Sequence, residues 1–258
     1  MDLRLADKVV LITGGSKGIG LACAQAFIQE GARVAIASRD QKNLTRARAE
    51  LSGEIFAVAV DLSRPEDAQR MCRECEAALG PIDILVNSAG AAKRTPPDEL
   101  QAAAWHAAMD AKYFTYIHAM DAVLPSMKAR NQGAIVNIIG MGGKVATPIH
   151  LPGGAANSAL MLATVGLAHV LGRHGIRVNG INPGATMTER VQEALQLEAR
   201  IKGVSEQKVL EEGQARVPLG RYATAEDVAS VALFLASERA WYVTGAIVPM
   251  DGGLSPVL

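Results

Sequence analysis

The alternation of short apolar runs with longer helical segments constrains the fold of this chain more than any other feature. Six runs rich in β-branched residues predict strands: Lys8–Thr13, Arg33–Ala37, Ile55–Val60, Ile82–Val86, Ala134–Ile139 and Ile176–Gly180. The segments between them predict helices: Gly18–Glu30, Gln41–Leu51, Pro65–Leu79, Leu100–Arg130 and Gly153–Arg173. Because several strands are apolar at nearly every position, both faces of the sheet should be covered. We therefore predict an α/β fold, a single-domain doubly wound parallel sheet of the Rossmann type with helices on both faces.

Composition and charge narrow the classes of function. The chain has 258 residues, a formal net charge of zero and only 4% aromatic residues, which disfavours nucleic acid or a membrane surface as a partner. The first residues, MDLRLADKVV, lack the pattern of a signal peptide, and the apolar runs look too short for a membrane span. We expect one cytoplasmic domain over residues 1–258.

The chain has three cysteines, Cys23, Cys72 and Cys75. Cys72 and Cys75 form a CxxC motif, but it falls inside a predicted helix with no second pair and no nearby histidine. We interpret the motif as part of the helix and expect no metal site.

One long segment, Ala185–Arg221, departs from the strand–helix pattern. It is charged, and Glu189–Ile201 and Ser205–Gly213 within it have helical character. An insertion of this length after a strand is typical of a substrate lid, and a solvated surface excursion is the alternative.

The sequence ITGGSKGIG joins the first predicted strand to the first helix. Its glycines, Gly14, Gly15, Gly18 and Gly20, allow backbone N–H groups to approach a phosphate, and the helix N-terminus favours negative charge. This predicts a dinucleotide site, although glycine-rich turns also serve packing alone. At the end of the second strand Arg39 precedes Asp40, and Lys17 lies in the glycine-rich turn. Two cations favour NADP(H) over NAD(H), unless both are ordinary surface charges.

Over essentially its full length the chain resembles the short-chain dehydrogenases/reductases. The resemblance rests on motifs in the family's order: Thr13–Gly20 (TGGSKGIG), Asp61–Leu62, Asn87–Gly90 (NSAG), Val178–Gly184 (VNGINPG), Pro218–Arg221 (PLGR), Glu226–Ala229 (EDVA), Val243–Gly245 (VTG) and Asp251–Gly253 (DGG). It implies a set of cofactor-binding residues. The phosphates and adjoining ribose would be held by Gly14, Ser16, Lys17, Gly18, Ile19 and Gly20, and the 2′-phosphate by Ser38 and Arg39. Asp61 and Leu62 would flank the adenine, Asn87, Ala89 and Gly90 would line the cofactor, and Pro183, Gly184, Thr186 and Thr188 would hold the nicotinamide end.

The catalytic residues do not carry over with the cofactor motifs. The family's usual Asn, Ser, Tyr and Lys align with Lys112, Gly140, Gly153 and Asn157 of this chain. The resemblance therefore implies a member without the usual proton-handling groups.

Two residues are candidate substitutes. By position Lys112 is the first, either as a general acid or as a contact to the cofactor ribose, and both roles stay open. His150 is the second, because it precedes the empty Tyr position on a loop bordering the substrate space, although it also fits an ordinary surface loop. Lys144 is a weaker candidate, and Tyr113 and Tyr116 are better explained by packing.

Three functions follow from these alternatives. The first is an NADP(H)-dependent oxidoreductase that acts on a small-molecule carbonyl or alcohol with a non-standard proton donor. The second is a catalytically silent NADP(H)-binding regulator or partner subunit, and the third is a lyase or isomerase on the same fold. The resemblance also implies a homotetramer or a dimer, formed through the helices Leu100–Arg130 and Gly153–Arg173 and through the C-terminal strand and tail, Gly245–Leu258.

Overall fold

A computed structural model describes residues 1–90 and 92–256 of the chain, without the side chains of Arg190, Leu197 and Ile201. Seven parallel strands form one sheet in the order β3-β2-β1-β4-β5-β6-β9. The strands are β1 (Val9–Thr13), β2 (Arg33–Ser38), β3 (Ile55–Ala59), β4 (Ile84–Asn87), β5 (Gly133–Ile138), β6 (Ile176–Pro183) and β9 (Ile247–Met250). A separate parallel pair consists of β7 (Thr186–Met187) and β8 (Ala223–Thr224).

Helices cover both faces of the sheet. They are α1 (Gly18–Gln29), α2 (Gln41–Glu50), α3 (Pro65–Leu79), α4 (Ala102–Ala108), α5 (Thr115–Arg130), α6 (Leu151–Leu171), α7 (Glu189–Lys202), α8 (Glu206–Gln214) and α9 (Ala225–Ala236). Successive residues of β1 show why both faces are needed. Val10 and Ile12 pack with residues of α1, α2 and α9, whereas Val9 and Leu11 pack with residues of α3, α5 and α6. The predicted doubly wound α/β fold is confirmed.

The predicted helix Leu100–Arg130 is present from Ala102 to Arg130, but it is not α-helical throughout. Between α4 and α5 the residues Met109–Phe114 form a widened π-helical turn. The hydroxyl of Thr115 donates to the carbonyl of Lys112 at 2.8 Å and so satisfies a group in that turn. Such turns are frequent at functional sites, and this one contains Lys112.

The sheet has seven strands rather than the six predicted, and the difference lies at its C-terminal end. The strand β6 continues to Pro183 rather than ending at Gly180, and β9 adds a seventh strand beside it. The strand β9 is the C-terminal strand of the predicted segment Gly245–Leu258, whose Val257 and Leu258 lie outside the described residues. In the segment Ala185–Arg221 the two helices α7 and α8 form, joined by a small core of Leu195, Ala199 and Val209.

Within the described residues, the segment Pro148–His174, which contains α6, is long and apolar enough by length and composition to cross a membrane. The segment is also a core helix of the domain, because Leu160, Ala168 and Leu171 pack into the core beside β6. Core helices of α/β domains meet the same criterion.

Candidate functional site

The glycine-rich turn connects β1 to α1 at the point where the sheet order reverses between β1 and β4. Gly14 has φ +68°, and a Cβ atom on it would lie 2.8 Å from the backbone of Ala89. A Cβ atom on Gly20 would lie 2.8 Å from the carbonyl carbon of Gly14. Only glycine fits these two positions, so the turn leaves its backbone open to a ligand.

The N-terminus of α1 provides the charge complement for an anion. Lys17 is the N-cap residue but makes no side-chain capping bond, and the first turn contains no acidic residue. The first backbone N–H groups of the helix therefore point outward with the positive end of the helix dipole. The glycine-rich turn has no side chains that would block a ligand, and the helix after it has no side-chain cap. These two features suit the binding of the pyrophosphate of a dinucleotide.

The end of β2 bears on the choice between NADP and NAD. Asp40 accepts hydrogen bonds from the backbone N–H groups of Lys42, at 2.7 Å, and Asn43, at 3.4 Å, and so caps α2. Within the described part of the chain, neither Lys17 nor Arg39 forms an ion pair with a carboxylate, and both are exposed. The carboxylate of Asp40 is thus used to cap α2, while the side chains of Lys17 and Arg39 are exposed to solvent.

Ser16, Ser38, Asp61 and Leu62 complete the ends of the neighbouring strands. Ser16 Oγ donates to Ser38 Oγ at 2.9 Å, which links the glycine-rich turn to β2. The carboxylate of Asp61 accepts from the hydroxyl of Ser63 at 2.8 Å, and Leu62 is buried. Their predicted contacts to a cofactor stay predictions.

A buried polar chain crosses the sheet just below the predicted site. Thr13 Oγ1 donates to Asn87 Oδ1 at 3.2 Å, and Asn87 Nδ2 donates to Asn137 Oδ1 at 3.0 Å. Asn137 Nδ2 donates in turn to Thr164 Oγ1 at 3.0 Å, which ties α6 to the sheet. The side-chain amide of Asn87, which was predicted to line the cofactor, therefore forms hydrogen bonds within the sheet. The sequence analysis did not identify Asn137 or Thr164 as members of this hydrogen-bonded chain. A buried asparagine at the same register in two adjacent strands is the signal that could have revealed them.

The residues predicted at the nicotinamide end lie where β6 leads into the segment that contains α7 and α8. A Cβ atom on Gly184 would lie 3.0 Å from Cα of Asp251, so the chain passes close to the end of β9. Thr186 Oγ1 donates to the carbonyl of Gly184 at 3.3 Å. Thr188, the N-cap residue of α7, places its Cγ2 atom 3.5 Å from a Cβ built on Gly18. The base of this segment thus lies beside the glycine-rich turn.

A second feature is a cavity of about 80 Å³ near the end of β5, lined by Gly90, Ala92, Lys112, Ile139, His150, Gly153 and Asn157. Three of the residues that the sequence analysis predicts at the family's catalytic positions line it, namely Lys112, Gly153 and Asn157. The fourth, Gly140, is adjacent, because its Cβ position is 3.3 Å from Asn157 Nδ2. The structure therefore brings together all four of these positions and His150.

The ring of His150 covers Gly153. A Cβ atom on Gly153 would lie 2.5 Å from His150 Nε2 and 2.9 Å from the Cβ atom of Ala92. His150 is half-buried at the start of α6. Gly153 therefore has no room for a larger side chain while the imidazole keeps this position.

The ammonium group of Lys112 is buried at the inner wall of the cavity, with 8% of the residue exposed. Its Nζ atom donates to the hydroxyl of Tyr116 at 2.7 Å and to the carbonyl of Ile138 at 3.0 Å. It also lies 4.3 Å from the centre of the Tyr116 ring, a cation–π contact.

Tyr116 is not placed to handle protons for a ligand. Its hydroxyl donates to the carbonyl of Ile138 at 2.5 Å, and the residue is fully buried. Burial raises the pKa of this phenol above its ordinary value, so it stays neutral. The packing role predicted for Tyr116 agrees with its position in the core, and its contact with Lys112 went unrecognised in the sequence.

Gly140 has a backbone conformation that other residues rarely adopt. Its φ is +124° and its ψ is 148°. A residue with a side chain is strained there. The backbone conformation at position 140 therefore favours glycine over a residue with a hydroxyl side chain.

The remaining titratable candidates lie outside the cavity. Lys144 is exposed on the following loop. Burial raises the pKa of Cys72 to about 11 and that of Cys75 to about 12, so both thiols of the CxxC motif stay protonated near neutral pH. Over residues 1–90 and 92–256, no three or more His, Cys, Asp and Glu side chains gather as metal ligands.

The parallel sheet and the glycine-rich turn at its reversal point define a Rossmann-type dinucleotide-binding protein. The family described as "Enoyl-(Acyl carrier protein) reductase" matches residues 14–255. 2-(S)-hydroxypropyl-CoM dehydrogenase 3 of Xanthobacter autotrophicus is 34% identical over 100% of both chains, and an uncharacterized oxidoreductase of Bacillus subtilis is 32% identical over 98% of both. The structure of L-sorbose reductase from Gluconobacter frateurii, complexed with NADPH and L-sorbose, is similar with a TM-score of 0.94 and 29% identity, covering 100% of both chains. The chain belongs to the short-chain dehydrogenase/reductase family of NAD(P)-dependent oxidoreductases.

Proposed function

We propose that this protein is an NADP(H)-dependent oxidoreductase that interconverts a small carbonyl compound and its alcohol without the Asn, Ser, Tyr and Lys that its family usually employs. The observation that carries this proposal is the occupancy of one cavity by His150 and Lys112 beside Gly153. When bound, the nicotinamide supplies or accepts the hydride. The residues of this chain must bind, orient and exchange a proton with the substrate.

The preference for NADP(H) rests on the end of β2. Arg39 and Lys17 are exposed cations, and Asp40 is engaged in capping α2. A 2′-phosphate can accept charge-assisted hydrogen bonds from both cations. The similar L-sorbose reductase structure contains NADPH, which also favours this choice.

His150 is the better candidate for the proton donor. Its ring covers the position from which a side chain on Gly153 would project, so an imidazole replaces a phenol in that part of the cavity. Histidine titrates near neutral pH and serves as a general acid or base more often than any other side chain. In the direction of carbonyl reduction, the imidazole donates a proton to the developing alkoxide oxygen.

Lys112 supplies charge rather than a proton. Its ammonium group is held at the inner wall by the carbonyl of Ile138 and the hydroxyl of Tyr116. A fixed positive charge in a site shielded from water stabilises negative charge that develops on a substrate.

A catalytically silent NADP(H)-binding protein is the second candidate. The geometry at Gly140 favours it, because a residue with a hydroxyl side chain would be strained on that backbone, whose φ is +124°. Such a protein would bind NADPH and regulate, or support, a partner subunit.

Turnover separates the two candidates. The purified protein is mixed with NADPH and a panel of aldehydes, ketones and quinones, and the decay of NADPH absorbance is followed for the wild type, His150→Ala and Lys112→Met. The oxidoreductase proposal expects turnover that falls at least tenfold in both variants while NADPH binding is retained. Tight NADPH binding without turnover on any compound favours the silent protein.

A homotetramer or dimer is proposed for the assembly. Large apolar side chains are exposed on α4–α5 and on α6, including Trp105 (39% exposed), Leu162 (76%) and Val165 (46%). Because such a patch is costly in water, a second copy of the chain is expected to cover it. Sedimentation of the wild type should show an oligomer that Leu162→Asp dissociates; a wild-type monomer contradicts this assembly.

A further inference from the structure

We infer that the side-chain amide of Asn157 binds the substrate in the cavity beside Gly153, and that this substrate is a short carbonyl compound with a hydroxyl group on the neighbouring carbon. The inference rests on the proposed function and names the substrate class and a binding residue for the same site. The Nδ2 atom of Asn157 donates to the carbonyl oxygen, and its Oδ1 atom accepts from the hydroxyl group.

Asn157 is a buried amide that the rest of the protein does not satisfy. It lies on α6, and only 6% of the residue is exposed. Over residues 1–90 and 92–256, no group of the protein forms a hydrogen bond with this side chain. A buried amide gives up its hydrogen bonds to water, and buried polar side chains nearly always have a partner. A ligand is therefore expected to supply the partners of Asn157.

The cavity is the place where such a ligand reaches the amide. Asn157 lines the cavity of about 80 Å³ together with Gly90, Ile139 and Gly153, among others. Of the described residues that line this cavity, Asn157 alone carries a side-chain oxygen. A hydroxyl group of a ligand inside the cavity therefore finds its side-chain acceptor at Oδ1.

The donor end of the amide lies beside two glycines. The Nδ2 atom is 3.3 Å from the Cβ position of Gly140 and 3.6 Å from that of Gly142. Neither glycine has a side chain that could donate a hydrogen bond, so Nδ2 is the side-chain donor at this point of the loop after β5. A fixed donor of this kind stabilises the negative charge that develops on a carbonyl oxygen during reduction.

The two ends of the amide together define the class of ligand. The nitrogen and oxygen are bonded to one carbon atom, so a ligand that satisfies both must carry an acceptor and a donor close together. A carbonyl oxygen and a hydroxyl on neighbouring carbons meet this requirement. A plain ketone leaves Oδ1 without a partner, and a buried polar group left unpaired discriminates strongly against such an analogue.

The volume limits the length of the ligand. At about 80 Å³ the cavity holds a compound of only a few heavy atoms. Hydroxyacetone is a compound of this size and class. Butanone is its matched counterpart, because a methyl group replaces the hydroxyl group and the carbonyl is kept.

The test compares these two ketones in a complex that cannot react. The full-length protein is saturated with tetrahydro-NADPH, an analogue that cannot deliver a hydride, and is titrated with hydroxyacetone and with butanone. Saturation-transfer NMR gives both dissociation constants. We expect hydroxyacetone to bind at least tenfold more tightly than butanone. Equal affinities, or no binding of either ketone, would overturn the inference.

Variants then assign the preference to the amide. Asn157→Leu keeps the shape of the side chain, removes its donor and its acceptor, and should abolish the preference for hydroxyacetone. Gln29→Leu, which removes an exposed amide from α1, is the control and should keep the preference. An Asn157→Leu protein that keeps the preference contradicts the inference. A variant that binds tetrahydro-NADPH at least tenfold more weakly assigns the amide to the cofactor and contradicts it as well.

The melting temperature separates a binding role from a structural one. Because the described residues give the amide no hydrogen bond, an apolar side chain of the same shape should leave the melting temperature of Asn157→Leu unchanged or raise it. A fall of several degrees would show that the amide stabilises the fold, which contradicts the inference.

Failure of this inference can be told apart from failure of the proposed function. Preferential binding of hydroxyacetone without NADPH-dependent turnover of any carbonyl compound would refute the oxidoreductase and leave the ligand class standing. NADPH-dependent turnover that is equally efficient with hydroxyacetone and with butanone would do the reverse.

Discussion

The imidazole of His150 lies in the space into which a side chain on Gly153 would project. Its Nε2 atom is 2.5 Å from the position of a Cβ on that glycine. The two residues are three apart in sequence and meet because His150 precedes the first turn of α6. A phenol at position 153 and an imidazole from position 150 therefore exclude each other in this arrangement.

Adding one methyl group at Gly153 tests this relationship. Gly153→Ala should displace His150 and lower NADPH-dependent turnover at least tenfold, because the new Cβ meets the ring and the Cβ of Ala92. Gly172→Ala is the matched control at the C-cap of the same helix, since its φ of −53° suits alanine and nothing lies within 4 Å of its Cβ position. That change should leave turnover intact and stabilise the protein by about 0.5–1 kcal/mol, as glycine is a poor helix residue. Wild-type turnover in Gly153→Ala would show that the ring position does not matter.

Introducing a hydroxyl at position 140 should not raise turnover. Gly140→Ser forces a side chain onto a backbone with φ +124° and should cost about 1–3 kcal/mol in the free energy of unfolding. Urea denaturation and the turnover assay measure both effects. A Gly140→Ser protein of unchanged stability and higher turnover would mean that the site is not built around glycine.

Removing the cation at the end of β2 should reverse the cofactor preference. Arg39→Ala is expected to weaken NADPH binding at least tenfold and to leave NADH binding nearly unchanged, because only NADPH carries the 2′-phosphate. Arg48→Ala, an exposed arginine later in α2, is the control. Fluorescence titration gives both dissociation constants, and equal weakening for NADPH and NADH would place Arg39 elsewhere.

Asp227 should make stability depend on pH in the acid range. Hydrogen bonds from Arg221, at 2.6 Å, and from the backbone N–H of Thr224 hold the pKa of this carboxyl at about 2, below its ordinary value of 3.8. The folded protein therefore binds the proton less well than the unfolded chain, so the stabilisation is present above about pH 4 and is lost as the pH falls toward 2.

The comparison of wild type with Asp227→Ala measures that contribution. The variant loses one half of the capping box of α9 and should be less stable by about 1–2 kcal/mol at pH 7. The difference should shrink as the pH is lowered from 5 to 3. Asp121→Ala, an exposed acid on α5, should show no such trend. A difference that stays constant across this range would contradict the assignment.

Much of the fold could be predicted from the sequence because it depends on local pattern. Strands such as β1 are apolar at every position but the last, and Gly14 and Gly18 in the turn after Thr13 have positive φ angles that favour glycine. The widened turn Met109–Phe114 could not be predicted, since it depends on distant contacts such as the approach of Gly90 to the carbonyl of Ala111. The extension of β6 to Pro183 depends likewise on its pairing with β9.

The sequence predicted which residues belong to the candidate site, but it did not predict how their side chains contact one another. The alignment of motifs pointed to Lys112, Gly140, Gly153 and Asn157, and the loop position pointed to His150. The contact between His150 and Gly153, and the contacts of Lys112 with Tyr116 and Ile138, arise from tertiary packing. No spacing rule in the sequence contains that information.

The most direct measurement of the central claim follows an isotope. NADPH that carries deuterium at both C4 positions of the nicotinamide is incubated with the wild-type protein and the carbonyl panel, and the alcohols formed are analysed by mass spectrometry. The account predicts one deuterium on the carbinol carbon of at least one product, and an at least tenfold smaller yield of that product in His150→Ala. Tight binding of NADPH with no deuterium in any product, or an undiminished yield in His150→Ala, would contradict it.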